Sequence, residues 1–198
     1  MTPPSRPVLL IAPNLTSANA LLRLVMAAFG VRTERAYVGS LRQFEAFLLA
    51  QYAAGVTPVL LVDEAQNLPR PALKLVHYLL NFETDAAKLL QIVLAGQEEL
   101  AEKVLRYREL ASRMFPVAIN AMTPDDLRAM LAFRWLVAGG AELPFAEEAL
   151  KLLFVASKGL PRDAVKLADE ALRRVAATGG RQVDAALIAR IGKELRLL

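Results

Sequence analysis

The sequence contains no cysteine, and among its 198 residues it has one histidine and one tryptophan. The absence of cysteine excludes disulfides, cysteine-based zinc sites and thiol nucleophiles, and it fits a reducing compartment. A long apolar run is also lacking, because Arg23 interrupts the most apolar stretch, Ala20 to Phe29. A membrane-spanning helix needs about 20 apolar residues, so the sequence predicts none. The first residues, MTPPSRP, lack the layout of a signal peptide, and we therefore expect a cytoplasmic protein.

The residues that are abundant predict a folded domain with a sizeable core. Hydrophobic residues make up 55% of the chain and charged residues 22%, which argues against a disordered protein. The formal net charge is +4, and the surplus lies between Lys158 and Leu198, a segment with nine basic and five acidic residues. Arg173 and Arg174 are adjacent there and would permit contact with DNA. Because helical charges usually form a solvated surface, we favour that interpretation.

Apolar patterning predicts an α/β unit followed by a helical unit. Apolar runs predict three strands, of which the first two are typical of strands buried on both faces: Val8–Ala12, Val59–Val62 and Leu89–Ala95. Helical periodicity between these runs predicts a parallel sheet covered on both faces, and Pro116–Ile119 is a candidate fourth strand. Thr16 or Ser17 is expected to cap the first helix and Ser40 the second.

The pattern changes after Thr123. Apolar residues at helical spacing, separated by glycines, predict helices at the following ranges: 125–137, 145–157, 161–177 and 183–195. We place the boundary at Ala121, which gives an α/β core of residues 1–121 and an all-helical domain of residues 122–198.

The sharpest local feature is Val59–Glu64, in which four apolar residues lead directly to Asp63 and Glu64. Ligands of open α/β sheets bind at the carboxyl ends of the strands. In a nucleotide hydrolase the first acid would hold Mg²⁺, and the second would orient or deprotonate the attacking water. These residues alone leave open the alternative that both acids only shape the turn into the next helix.

A longer set of motifs covers nearly the whole chain. They stand in this order: Leu61–Leu68, Leu79–Thr84, Lys88–Gln97, Arg113–Met114, Phe133–Arg134, Ala138–Gly140 and Gly159–Arg162. Together they resemble the AAA+ ATPases of the ExeA / general secretion pathway protein A type, a family that includes the transposition ATPases TnsC and TniB. The resemblance implies a P-loop NTPase-like parallel sheet core with a small all-helical lid domain.

The resemblance also implies roles for individual residues. Asp63 and Glu64 match the Walker B positions, with Asp63 as the Mg²⁺ ligand and Glu64 as the catalytic glutamate. Gln97 matches the sensor 1 residue that touches the γ-phosphate or the attacking water, although it is also explained as a side chain at a helix start. Arg162 matches the sensor 2 arginine. A cation in a first helical turn opposes the helix dipole, so a phosphate partner would explain it.

Arg113 matches the arginine finger that reaches the nucleotide of a neighbouring subunit. Arg106 and Arg108 lie nearby and compete for this role, and an ordinary surface arginine is an equally good explanation of any one of the three.

One element of the family pattern is absent. The phosphate-binding loop, GxxxxGK[ST], occurs nowhere in the sequence, and the first lysine is Lys74. The loop belongs to a unit of about 30 or more residues, whereas seven residues precede Val8. The match therefore begins at the second strand of the family. In related sheets the first strand lies between the fourth and the fifth, so its absence should leave two unpaired edges.

The resemblance implies an ATPase module that binds ATP and Mg²⁺ and hydrolyses ATP as a homo-oligomer. Its partner would belong to a secretion or pilus machine of the cell envelope, or would be a transposase on DNA, and the sequence does not choose between these. The alternative is a non-catalytic interaction or DNA-binding protein that kept the scaffold and lost nucleotide binding.

Overall fold

The computed structural model describes residues 4–12 and 15–198. The chain divides into two compact units, Met1–Val117 and Ala118–Leu198, which we call unit 1 and unit 2. Unit 2 thus begins slightly before the boundary at Ala121 that the sequence predicts. In the described ranges, no helix is both long and apolar enough to cross a membrane.

Within residues 4–12 and 15–198, unit 1 contains a three-stranded parallel sheet in the order β1-β2-β3. Leu60 pairs with Val8 on one side and with Ile92 on the other. The strands are β1 (Ser5–Ile11), β2 (Thr57–Asp63) and β3 (Gln91–Leu94). The helices of unit 1 are α1 (Ala18–Ala28), α2 (Tyr37–Ala53), α3 (Arg70–Leu79), α4 (Glu98–Leu105) and α5 (Arg108–Ala111). Helical connections between parallel strands confirm the predicted α/β architecture.

The start of α1 follows the sequence prediction and the start of α2 does not. The Ser17 hydroxyl caps α1 by accepting the N–H of Ala20 at 3.2 Å. α2 begins at Tyr37, so the prediction that Ser40 caps it is wrong. Ser40 is buried inside the first turn, where its hydroxyl accepts the N–H of Glu34 and donates to the carbonyl of Glu34. It therefore fixes the loop that precedes the helix.

One face of the sheet is covered and the other is open. Val8, Leu10, Leu60 and Val62 lie on the covered face and pack in the apolar core with side chains of α1, α2 and α3. Side chains alternate between the two faces of a strand. On the opposite face, Leu9 and Ile11 are 63% and 68% exposed and Val93 is 48% exposed. The prediction of a sheet covered on both faces is therefore wrong, because the described helices of unit 1 shield mainly one face.

The candidate fourth strand is also absent from the described structure. Residues 114–123 form no regular element, and Phe115, Val117 and Ile119 are between 78% and 96% exposed. A strand requires a hydrogen-bonded neighbour, and in the described part of the chain β3 pairs with β2 alone. The segment therefore has the alternating apolar pattern of a strand but, in the described structure, no neighbouring strand to pair with.

Unit 2 is helical, as the sequence predicts. Its helices are α6 (Pro124–Val137), α7 (Glu147–Ser157), α8 (Pro161–Ala177) and α9 (Ala185–Glu194). α6 begins with a capping box, in which Thr123 accepts the N–H of Asp126 and the Asp126 carboxylate accepts the N–H of Thr123. The Thr123 hydroxyl and N–H together lower the pKa of Asp126. The core of unit 2 includes Leu127, Leu153, Leu167 and Ile188.

Gly159 forms the turn between α7 and α8, and we expect Gly159→Ala to destabilise unit 2 strongly. The φ angle of Gly159 is +72°, and an added Cβ would lie 2.4 Å from the carbonyl oxygen of Met122. A left-handed alanine costs about 1–2 kcal/mol, and the clash adds about 1–3 kcal/mol. Gly179→Ala is the matched control, because φ is +69° there and the added Cβ meets nothing within 4 Å. Urea denaturation of both variants measures the difference; equal losses would show that the Met122 clash is relieved without cost.

Candidate functional site

The carboxyl end of β2 holds two carboxylates in a constrained turn. Asp63 is the last residue of β2 and is exposed, and one of its carboxylate oxygens accepts the N–H of Glu64 at 2.8 Å. Glu64 is half-buried and has φ 52° and ψ 33°, the left-handed region that residues other than glycine rarely occupy. Such backbone geometry persists where the surrounding contacts fix it, and it clusters at functional sites. The turn therefore presents both acids at the edge of the sheet where ligands bind.

β3 brings Gln97 to the same edge. Backbone hydrogen bonds connect the ends of the two strands, from Ala95 to Val62 at 2.8 Å and from Ala65 to Ala95 at 2.9 Å. Gln97 follows β3 as the N-cap residue of α4, and its side chain is exposed. Asp63, Glu64 and Gln97 thus lie at the carboxyl ends of neighbouring parallel strands.

Gln66 connects these two turns, and sequence reasoning did not single it out. Its side-chain nitrogen donates to the Glu64 carboxylate at 2.6 Å, and its side-chain oxygen accepts the N–H of Gln97 at 3.3 Å. The residue stands inside the Leu61–Leu68 motif. The sequence feature that could have identified Gln66 is its position two residues after Glu64.

Lys103 is a second residue beside the candidate site that the sequence did not reveal. From α4, its ammonium group donates to the carbonyl oxygens of Gln66 and Leu68 at 2.6 and 2.7 Å. Gln66 lies within the 3-10 turn Ala65–Asn67 that follows Glu64, and Leu68 comes directly after that turn. Lys103 therefore holds the backbone next to the two carboxylates in place.

The three candidate finger arginines are all exposed in unit 1. Arg106 pairs with Glu102 at 3.3 Å, one helical turn away. In the described ranges, Arg108 and Arg113 form no ion pair. The pKa of Glu83 is lowered chiefly by its hydrogen bond from Lys88, and the charge of Arg113 contributes a smaller part. Arg113 is therefore an exposed guanidinium that forms no ion pair with the residues that the structure describes.

Arg162 lies in unit 2, as the second residue of α8, and its side chain is exposed. Within the portion of the chain that the structure describes, it has no ion-pair partner. A cation at this position is disfavoured by the helix dipole, so an anionic ligand would stabilise it.

The adjacent arginines of α8 are engaged within unit 2. Arg173 pairs with Asp169 at 3.0 Å, and Arg174 pairs with Glu170 at 2.8 Å and with Glu194 at 2.6 Å. These ion pairs support the interpretation of this basic stretch as a solvated surface.

The acidic edge suits a magnesium ion that arrives with a phosphate ligand. No group of three or more histidine, cysteine, aspartate or glutamate side chains occurs among the described residues in an arrangement that could hold a metal. Mg²⁺ in nucleotide sites is bound by one or two carboxylates, with phosphate and water oxygens completing its shell. Asp63, an exposed carboxylate at the end of β2, fits that requirement.

Comparisons with known proteins place these features in context. Residues 2–104 match the model of the AAA domain family. General secretion pathway protein A of Aeromonas hydrophila is 40% identical over 140 residues, which cover 69% of this chain and 25% of that protein. The chain therefore spans about a quarter of the length of that relative.

Two similar solved structures extend the comparison to the fold. The Aeropyrum pernix ORC2 protein in its ADPNP-ADP complexes has a TM-score of 0.69 at 18% identity, covering 96% of this chain and 52% of that chain. Cdc6p from Pyrobaculum aerophilum has a TM-score of 0.65 at 15% identity, covering 90% and 50%. At these identities the likeness shows a common fold.

Proposed function

From the premise that this chain belongs to the AAA domain family and is an AAA+ protein of the general secretion pathway protein A type, we propose that it is an ATPase module. It binds ATP with Mg²⁺ and hydrolyses the ATP. The observation that carries this proposal is the shared sheet edge, where Asp63 ends β2, Glu64 follows it directly and Gln97 lies in the turn after β3. Parallel α/β sheets bind nucleotides at this edge.

Each residue of the edge has a chemical task on this proposal. Asp63 would hold the Mg²⁺ that accompanies ATP. When bound, that ion would neutralise part of the negative charge of the phosphates. Glu64 accepts a proton from the attacking water, because it is a carboxylate at the sheet edge and the hydrogen bond from Gln66 fixes its orientation. Gln97 orients the water or the terminal phosphate through its exposed amide.

Two arginines also have roles on this proposal. Arg162 binds phosphate oxygens, which is supported by its exposed position in the first turn of α8. Arg113 acts on the nucleotide of a neighbouring copy, where a guanidinium stabilises the charge of the transferring phosphate. The active form is therefore a homo-oligomer.

The phosphate-binding loop comes from a segment outside these 198 residues. Three features of unit 1 support this part of the proposal: the open sheet face around Leu9 and Ile11, the unpaired outer edge of β3 in the described structure, and the exposed side chains of Phe115 and Val117. An added strand would pair with β3, and an added helix would cover the open face. Burial of apolar surface provides the driving force at about 25 cal/mol per Å².

The biological role proposed is the assembly of a secretion machine, driven by the ATP cycle. The similarity to a general secretion pathway protein supports this role over assembly of a transposition complex.

Titration with ATP·Mg²⁺ tests the proposal. The experiment also uses a longer protein, in which the 198-residue chain is joined to a segment that carries the family's phosphate loop, the strand before it and the helix after it. We call this longer protein the completed protein. Calorimetry should show weak or no binding to the chain alone, because loop amides and the loop lysine make most phosphate contacts. The completed protein should bind at least about 100-fold more tightly, a difference of about 3 kcal/mol. Submicromolar affinity of the chain alone, or no binding by the completed protein, would contradict the proposal.

A further inference from the structure

Gln66 makes a specific contact with each side of the candidate site. Its side-chain nitrogen donates to Glu64 and its side-chain oxygen accepts from the backbone of Gln97. The orientation of the amide is determined by these partners, since a carboxylate only accepts hydrogen bonds and a backbone N–H only donates one. Reversing the amide would break both contacts at once.

The backbone of Gln66 is fixed independently of its side chain. Lys103 donates to its carbonyl oxygen at 2.6 Å, and the adjacent Ala65 is fully buried. The contact to Glu64 therefore restricts the rotamers of a glutamate that would otherwise sample several, at a cost in conformational entropy.

Gly96 provides the space in which this amide lies. A Cβ added to Gly96 would stand 2.4 Å from the side-chain oxygen of Gln66. The absence of a side chain at Gly96 thus permits the contact between Gln66 and the N–H of the next residue, Gln97.

We propose that Gln66 is a positioning residue that couples the orientation of the Glu64 carboxylate to the turn at Gln97. A displacement of the Gln97 backbone moves the acceptor end of the amide, and the donor end moves the carboxylate with it. A ligand that binds to Gln97 would thereby change the orientation of the Glu64 carboxylate. The assignment rests on the proposed function, because it links two groups that we place at the ATP site.

Nuclear magnetic resonance of the 198-residue chain tests the coupling without nucleotide. Glu64→Ala should shift the side-chain amide signals of Gln66 and also the backbone amide signal of Gln97. In a Gln66→Leu background, the response of the Gln97 signal to Glu64→Ala should be largely lost. Asp63→Asn, which removes a neighbouring charge, controls for the long-range electric field and should move the Gln97 signal less. An equal response of Gln97 with and without Gln66 would overturn the proposal.

Gly96→Ala tests the same coupling by displacing the Gln66 side-chain oxygen from the N–H of Gln97. The atom nearest to the added Cβ is the tip of a flexible side chain, and a Leu100 methyl group and the Gln66 backbone nitrogen lie at 3.1 and 3.3 Å. The substitution should therefore lower the urea midpoint modestly while abolishing the Gln97 response. If the Gln97 signal still responds to Glu64→Ala in the Gly96→Ala background, the coupling is contradicted. The coupling is also contradicted if the response is lost only in variants that unfold.

Turnover provides an independent readout in the completed protein. Gln66→Leu should lower kcat about tenfold or more with little change in KM, because misplacing a reacting group affects the chemical step. If the completed protein hydrolyses ATP but the resonance coupling is absent, only the role of Gln66 is wrong. If the coupling is present and no ATP is hydrolysed, only the ATPase proposal is wrong.

Discussion

Glu64→Gln is expected to stop ATP turnover in the completed protein while nucleotide binding is retained. The amide occupies the same space and still offers an oxygen to the Gln66 side chain, which donates to Glu64 at 2.6 Å. It cannot accept the proton of the attacking water, and general-base catalysis contributes about 10²–10⁴-fold to rate. Phosphate release measures turnover, and calorimetry measures binding.

Glu99→Gln is the matched control for this variant. Glu99 is an exposed carboxylate in the first turn of α4, close to Gln97 in sequence. Its substitution removes the same charge and should leave turnover at the parent rate. Hydrolysis at the parent rate by Glu64→Gln would refute the catalytic role of Glu64.

Arg113→Ala should remove most of the turnover and leave ATP affinity almost unchanged. An arginine supplied by a neighbouring subunit raises the rate of hydrolysis about 10³-fold or more, because its guanidinium group stabilises the charge that develops on the transferring phosphate. Arg106→Ala and Arg108→Ala are the controls, since both side chains are exposed in the same region and Arg106 is already paired with Glu102. A comparable loss in either control, with parent activity in Arg113→Ala, would reassign the finger.

Local pattern was sufficient to predict the elements that carry the candidate site. The apolar run ending at Asp63 predicts β2 because a strand that is largely buried favours continuous apolar residues. Helical spacing and capping likewise predict α8 at Pro161–Ala177, in agreement with the structure. Parallel strands place their carboxyl ends at one edge, so the proximity of Glu64 and Gln97 also follows from the pattern.

Features that depend on distant contacts could not be predicted in the same way. Pro116–Ile119 has the composition of a strand, but strand formation depends on a neighbour that supplies hydrogen bonds. The exposure of Leu9 and Ile11 depends likewise on what covers the second face of the sheet. Gln66 contacts the N–H of Gln97, a residue 31 positions away, and Lys103 contacts Gln66 from 37 positions away. No local spacing rule identifies such pairs.

Mixing two inactive variants tests the central claim, an ATPase site shared between neighbouring subunits. Glu64→Gln and Arg113→Ala are each expected to be inactive as completed proteins. In a mixed oligomer, some interfaces join an intact Glu64 on one subunit to an intact Arg113 on the next, so part of the ATP turnover should return. Phosphate release is measured after co-assembly has been verified by size and composition. A mixture that co-assembles and stays inactive would contradict the shared site.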